Sequence, residues 1–277
     1  MRIAVKNQIE SSISELVGRV YDIDADLSLP LPLCIIRQGE ETAEYPWNGY
    51  RRYFEVIPYV GNGFAEVDRL SEQIIEALHE KVLILDTGYS LTCRYTGNLG
   101  GDMVDVGRTG ASRTLRFSAM KQLANEKSEQ DPVNWLSGLQ SWTQETIGEE
   151  WAVYTGWWPT GYTRPCILWR LTSSELALTS TSVFEVDNRF SVHVIGRSPE
   201  EEQIMVNTLI EAIGKQVRLP LDGSHLRQCL VKECTANPEA DRIAAGQISV
   251  LLKMKIRRGI EESPLMKTIN YLENIKD

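Results

Sequence analysis

The chain is short of positive charge, of histidine and of long apolar runs. Lys and Arg number 29 against 38 Asp and Glu, so the net charge is −9, and only three histidines are present. A protein that grips nucleic acid by neutralising phosphates needs a dominant basic face, and this composition argues against that class while leaving room for a local basic patch. No apolar run approaches the roughly 18 residues that span a bilayer. The leading segment MRIAVKNQIESSISELVGRV lacks a long apolar core and carries Glu10 and Glu15, so no secretory leader is expected. The five cysteines, Cys34, Cys93, Cys166, Cys229 and Cys234, are odd in number and form no CxxC pair. They are expected to be buried free thiols of a reducing compartment.

What remains is an ordinary globular composition, 42% hydrophobic and 24% charged over 277 residues, enough for one or two domains with real cores. Its most informative feature is a phrase written twice. VYDIDADLSLPLP (Val20 to Pro32) and VYTGWWPTGYTRP (Val153 to Pro165) share a length, an opening Val-Tyr and a closing Pro. The strand-like segments LCIIR and CILWR follow each, ending at Arg37 and Arg170. Further on, IIEALHEKV (Ile74 to Val82) matches LIEAIGKQV (Leu209 to Val217), and Leu91 matches Leu226. An offset that stays nearly constant over a domain's length points to tandem duplication.

Each copy reads alike. An amphipathic helix opens it, with Ile9, Ile13, Leu16 and Val20 in the first copy and Leu136, Leu139, Trp142 and Ile147 in the second. A short strand and a longer alternating strand follow. The longer one carries Phe54, Val56 and Val60 in copy one, where Pro58 suggests an edge or a bulge. In copy two it carries Phe184, Val186, Phe190, Val192 and Val194. A second helix follows, capped in copy two by Ser198 and Pro199 with acids in its first turn. Two strands close the unit, on Leu115, Phe117 and Ala119 in copy one and on Ile248, Val250, Leu252, Met254 and Ile256 in copy two. The expectation is an α+β fold, α-β-β-α-β-β twice, with helices on one face of a mostly antiparallel sheet. The units are placed at 1–122 and 133–259, with a polar linker over 123–132 and a separate arm over 260–277.

This unit resembles the tail-terminator or tail-completion (neck) proteins of long-tailed bacteriophages. The stretch from Arg51 to His79, RRYFEVIPYVGNGFAEVDRLSEQIIEALH, carries the resemblance in copy one. In copy two VYTGWWPTGYTRPCIL (Val153 to Leu168) resembles a terminator branch with a similar Trp-Pro-x-Gly-Tyr lead-in. The resemblance implies a structural virion protein, assembled in the host cytoplasm, that forms a cyclic homo-oligomer, usually a hexamer. Such a ring caps the tail tube, stops its polymerisation and joins the tail to the head. Its implied partners are further copies of itself, the tail tube protein, the head–tail connector protein and, in a contractile tail, the sheath protein. DNA passes through without being bound, and no membrane, cofactor, metal or catalytic residue is implied. A tandem departs from this family: six chains would give twelve domains, three chains a pseudo-six-fold ring. A head-completion or baseplate adaptor protein is the alternative, and an enzyme on the same scaffold a more distant one.

Several residues have side chains that could carry chemistry. Asp22, Asp24 and Asp26 have the opening spacing of a calcium loop, but Leu27 and Leu33 stand where the loop needs Gly and Glu, so a solvated loop is expected. His79, His193 and His225 have no second histidine at ligand spacing, and no nucleophile signature surrounds any cysteine. The glycine-rich TGNLGGDMVDVGRTGA (Thr96 to Ala111) lies between strands and lacks a phosphate-loop order, so it reads as a flexible hairpin connection free to order against a neighbour. Asn98, Asp102 and Arg108 in it are candidate inter-subunit contacts. Trp157, Trp158 and Tyr162 are either a plug between helix and sheet or an aromatic anchor between subunits. In the arm, Ser263 and Pro264 open a helix whose stripe Leu265, Ile269, Leu272 and Ile275 folds back on the chain or docks on a neighbour.

Overall fold

The computed structural model describes residues 1–24, 29–45, 49–61, 63–88, 90–105, 110–121, 134–159, 161–178, 182–220 and 228–257. The proposed linker, the proposed C-terminal arm with Leu265, Ile269 and Leu272, and also Asp26, Arg108 and His225, lie outside the described residues. The fold is α+β, with four helices and two sheets.

The first half runs α1 (Arg2–Ser12), β1 (Val20–Asp22), β2 (Leu33–Tyr45), β3 (Gly49–Val60) and α2 (Phe64–Leu78). It continues through β4 (Val82–Ile84), β5 (Ser90–Asn98), β6 (Met103–Asp105), β7 (Gly110–Ser112) and β8 (Leu115–Lys121). The second runs α3 (Asn134–Ile147), β9 (Ala152–Thr155), β10 (Cys166–Leu178), β11 (Val183–Ile195) and α4 (Pro199–Lys215). It ends in β12 (Arg218–Pro220), β13 (Gln228–Ala236) and β14 (Ile248–Arg257). The first sheet is ordered β1-β2-β3-β8-β5-β4, and the second, read from β9, is β9-β10-β11-β14-β13-β12. These are the same order, element for element. In both, only the short outer strand is parallel to its neighbour: β1 to β2 and β9 to β10.

Three strands precede the second helix of each half, and five follow it in the first half and three in the second, against two before and two after expected. The additional strands β1, β4, β9 and β12 are three or four residues long, too short for alternation to declare itself. The opening helix of the first half is also shorter than its apolar spacing suggests. Helix α1 stops at Ser12, Ile13 is extended, and Ser14–Leu16 make a single 3₁₀ turn. Ile9, Ile13, Leu16 and Val20 are all buried even so. They reach one core from a helix, a turn and a strand.

Pro58 lies in β3, at the centre of the sheet and not at its edge. Along one flank β3 pairs with β8 over Tyr50–Val56 and with β7 at Tyr59 and Val60. Pro58 falls in the break between those two partners, where no amide is required. The glycine-rich connection is likewise structured in part, since β6 and β7 pair with each other and β7 extends the sheet.

Each half has its own core. Phe54, Val56, Phe117 and Leu115 pack with Val5, Ile9, Leu70 and Ile74 of α1 and α2. Trp169, Phe190, Val192 and Val250 pack with Leu139, Trp142, Val206 and Leu209 of α3 and α4. Ser198 caps α4 by accepting from the Glu201 amide, with Pro199 opening the helix and three glutamates in its first turn.

Candidate functional site at the junction of the two sheets

The repeated thirteen-residue segments have one structural task. Each leads from the short parallel strand to the start of the long one and covers a sheet surface outside the main core cluster of its half. In the first half Tyr21, Leu29, Leu31 and Tyr59 cover Leu33, Ile35 and Ile57. In the second, Trp158 and Tyr162 cover Cys166, Leu168 and Ile195. The aromatic filling differs because this second surface has a further neighbour: Met120 and Val82 of the first half join the same cluster.

Trp158 and Tyr162 are therefore buried within the chain, at 3% and 4% exposure, while Trp157 remains 46% exposed. What they plug is the gap between the two sheets, not a gap beside α3. Tyr162 Oη lies 2.5 Å from Thr92 Oγ1, and burial raises its phenol to about 12. Trp158 lies 4.8 Å from Tyr162 with the rings tilted by 39°, and edge-on to His193, and its indole N–H donates to the Ile243 carbonyl. His193 Nδ1 lies 3.0 Å from the Arg242 carbonyl, and burial lowers its pKa to about 4, so the ring is neutral.

An ionic network surrounds this aromatic centre. Glu80 receives Arg164 at 3.2 Å and Arg242 at 3.0 Å, and Arg242 also reaches Glu202 at 2.5 Å. Arg51 meets Asp241 at 2.7 Å. Burial alone would raise the Asp241 carboxyl, but bonds from Arg51 and from the Ala244 and Ile243 amides hold it below its ordinary value. Burial holds Glu202 above its own. Glu80 has φ of +61°, a left-handed conformation that costs a residue with a Cβ. A helix stop commonly uses glycine there, but glycine would supply no carboxylate to Arg164 and Arg242.

Three arginines thus pair with three carboxylates, Arg242 with Glu202 inside the second half and the other contacts across the junction. Among them is a cavity of about 20 Å³ lined by Arg51, Glu80, Thr92, Arg164 and Asp241, room for about one water and not for an organic ligand. The connection from β13 to β14 that brings Asp241 and Arg242 here is anchored by Gln247. Its buried side chain bonds both the amide and the carbonyl of Val194, at 2.9 and 2.7 Å. None of Arg51, Glu80, Thr92, Asp241, Arg242 or Gln247 stands out in the sequence. Their partners lie 40 to 190 positions away, beyond any local pattern.

The other residues singled out from the sequence are not brought together. Asn98 accepts from the Tyr95 hydroxyl, and Asp102 pairs with Arg113 at 2.7 Å. Asp22 pairs with Arg2, and no group of acids, histidines and cysteines able to hold a metal occurs among the described residues. His79 closes α2 and accepts from the Tyr95 amide. Burial raises the Cys93, Cys166 and Cys229 thiols to about 12, so they stay protonated at neutral pH.

No protein-family model and no curated protein matches this sequence. Among solved structures, a chain described as "Virion of native gene transfer agent (GTA) particle" is similar over 44% of this chain and 95% of its own length. The identity is 20% and the TM-score 0.36, a likeness too slight to bear on fold or function.

Proposed function

We propose that the chain is a structural virion protein of the tail-terminator or neck class, built from two copies of one unit at 1–122 and 133–259. The observation that carries this reading is the shared strand order of the two sheets, together with a sequence that resembles that family in both halves. The helices of each unit are read as lining one face of its sheet, leaving the other for contacts between units.

On this reading the work of the protein is geometric and involves no catalytic residue, cofactor or metal. Units joined side by side close a ring, six-fold or three-fold in chains. One face of the ring fits the end of the tail tube, with the sheath protein alongside if the tail is contractile, and the other receives the head connector. A net charge of −9 suits a channel that passes DNA without holding it.

Removing the gene from a particle-producing genome tests this. Electron micrographs should then show tubes of uncontrolled length that are not joined to heads. Tails of normal length, joined to heads, would overturn the reading.

A further inference from the structure

The junction between the two halves is head to tail. Counterpart positions follow from the strand registers, which put Cys229, not Leu226, at the place of Leu91. Thr92 faces Met120 as Leu230 faces Lys253, and Arg51 faces Met120 as Asp187 faces Lys253. Likewise Ile35 faces Ile57 as Leu168 faces His193. With these equivalences, the first half contributes Thr92, Met120, Arg51 and Glu80, whereas the second contributes Trp158, Tyr162, Arg164 and His193. No position is matched by its own counterpart. The contact is heterologous, and among the described residues each half keeps one of its two surfaces outside it.

The unused surfaces are the counterparts of the used ones. On the second half, Leu230 stands where Thr92 stands on the first. Thr92 is 7% exposed beneath Tyr162, whereas Leu230 is 38% exposed. On the first half, Leu29 and Leu31 occupy the places of Tyr162 and Arg164 within the repeated segment. We propose that a second copy of this chain docks there, its Leu29 and Leu31 surface seating on the Leu230 surface, so that the contact inside the chain is repeated between chains. This rests on the reading of the halves as one repeated unit.

The chemistry of the two contacts changes in a matched way. Inside the chain a hydroxyl pair, Thr92 with Tyr162, sits beside a charge pair, Glu80 with Arg164. Between chains the same places hold a leucine pair, Leu230 with Leu29, beside Gln216 with Leu31. Both members of each pair change together, from polar to apolar in the first case and from charged to uncharged in the second, while Lys253 and Asp187, at the places of Met120 and Arg51, pair within the chain, Lys253 with both Glu185 and Asp187. The difference also keeps the two apart: Leu29 brings no hydroxyl to Thr92 and Leu31 no cation to Glu80, which disfavours the first half's surface as a substitute for the second's. A heterologous contact repeated through one rotation closes into a ring of an even number of units or runs on as a filament.

The test uses full-length chains carrying Leu29→Cys or Leu230→Cys, co-expressed and then oxidised or treated with a short bismaleimide. The co-expressed pair should give a covalent species of twice the 31.3 kDa chain mass. Each variant alone, and the wild type with its native thiols, should stay monomeric on a denaturing gel. A double variant should give a ladder. Dimer from Leu230→Cys alone would mean a two-fold contact and overturn the proposal. No cross-link while mass photometry still finds oligomers would place the contact elsewhere, overturning this proposal but not the ring. No cross-link and a monomer at every concentration would overturn both. Leu230→Asp, at a position already partly exposed, is the second variant: it should keep the melting temperature of the monomer and lose the oligomer.

Discussion

Tyr162 and Thr92 meet oxygen to oxygen at 2.5 Å across the two halves of the chain, 70 positions apart. Both are buried, and Arg164 also bonds the tyrosine hydroxyl. Tyr162→Phe should cost about 1–3 kcal/mol by leaving the threonine hydroxyl without its partner. Adding Thr92→Val should recover much of that loss, because two apolar groups then meet. Chemical denaturation of the single variants and the double variant measures this coupling. A double variant no more stable than Tyr162→Phe would contradict it.

Glu80 combines an unfavourable backbone with two ionic partners, Arg164 and Arg242. Glu80→Ala loses the carboxylate and keeps the left-handed strain. Glu80→Gly loses the carboxylate and relieves the strain. Both should be less stable than the wild type, with the glycine variant about 1 kcal/mol above the alanine variant. Equal melting temperatures for the two would show that the conformation costs nothing.

His193 gives the junction a dependence on pH. Its folded pKa is lowered to about 4, by burial first and by Arg170, against the bond to the Arg242 carbonyl and the charge of Asp241. The folded state therefore prefers the neutral ring. Stability should be fully present above the ordinary value of 6.5 and be lost as the pH falls from there toward 4. From 6.5 to about 4 this amounts to about 3 kcal/mol. In His193→Gln the slope of unfolding free energy over that window should flatten, whatever the absolute stability. An unchanged slope would assign the acid sensitivity to the carboxylates.

The adjacent tryptophans should separate cleanly. Trp158→Ala opens a void in a fully packed site and should cost about 3–5 kcal/mol. Trp157→Ala removes a half-exposed ring and should stay within about 0.5 kcal/mol of the wild type. Differential scanning calorimetry of the two variants distinguishes them, and a large loss from Trp157→Ala would reverse the assignment.

These residues also show how far the sequence could be read. The long strands were legible because their apolar residues alternate: Phe190, Val192 and Val194 share one core cluster, while Ser191 and His193 between them are polar, although buried as well. The cap of α4 was legible because Ser198, Pro199 and three glutamates act within one turn. The strands β1, β4, β9 and β12 were not, being shorter than the period that would reveal them. The junction was hidden for another reason. Glu80 looks like any polar residue after a helix, and Asp241 and Arg242 like any loop, until folding brings them together. Trp158 could be marked as unusual from sequence, but its neighbour across the junction could not be named.

The most direct test of the account is an electron-microscopic image of the purified full-length protein in negative stain, with class averages computed without imposed symmetry. The account predicts closed rings around a central pore, with two lobes for every chain, because the contact inside the chain recurs between chains. Isolated two-lobed particles of 31.3 kDa at every concentration, with no ring among them, would contradict it.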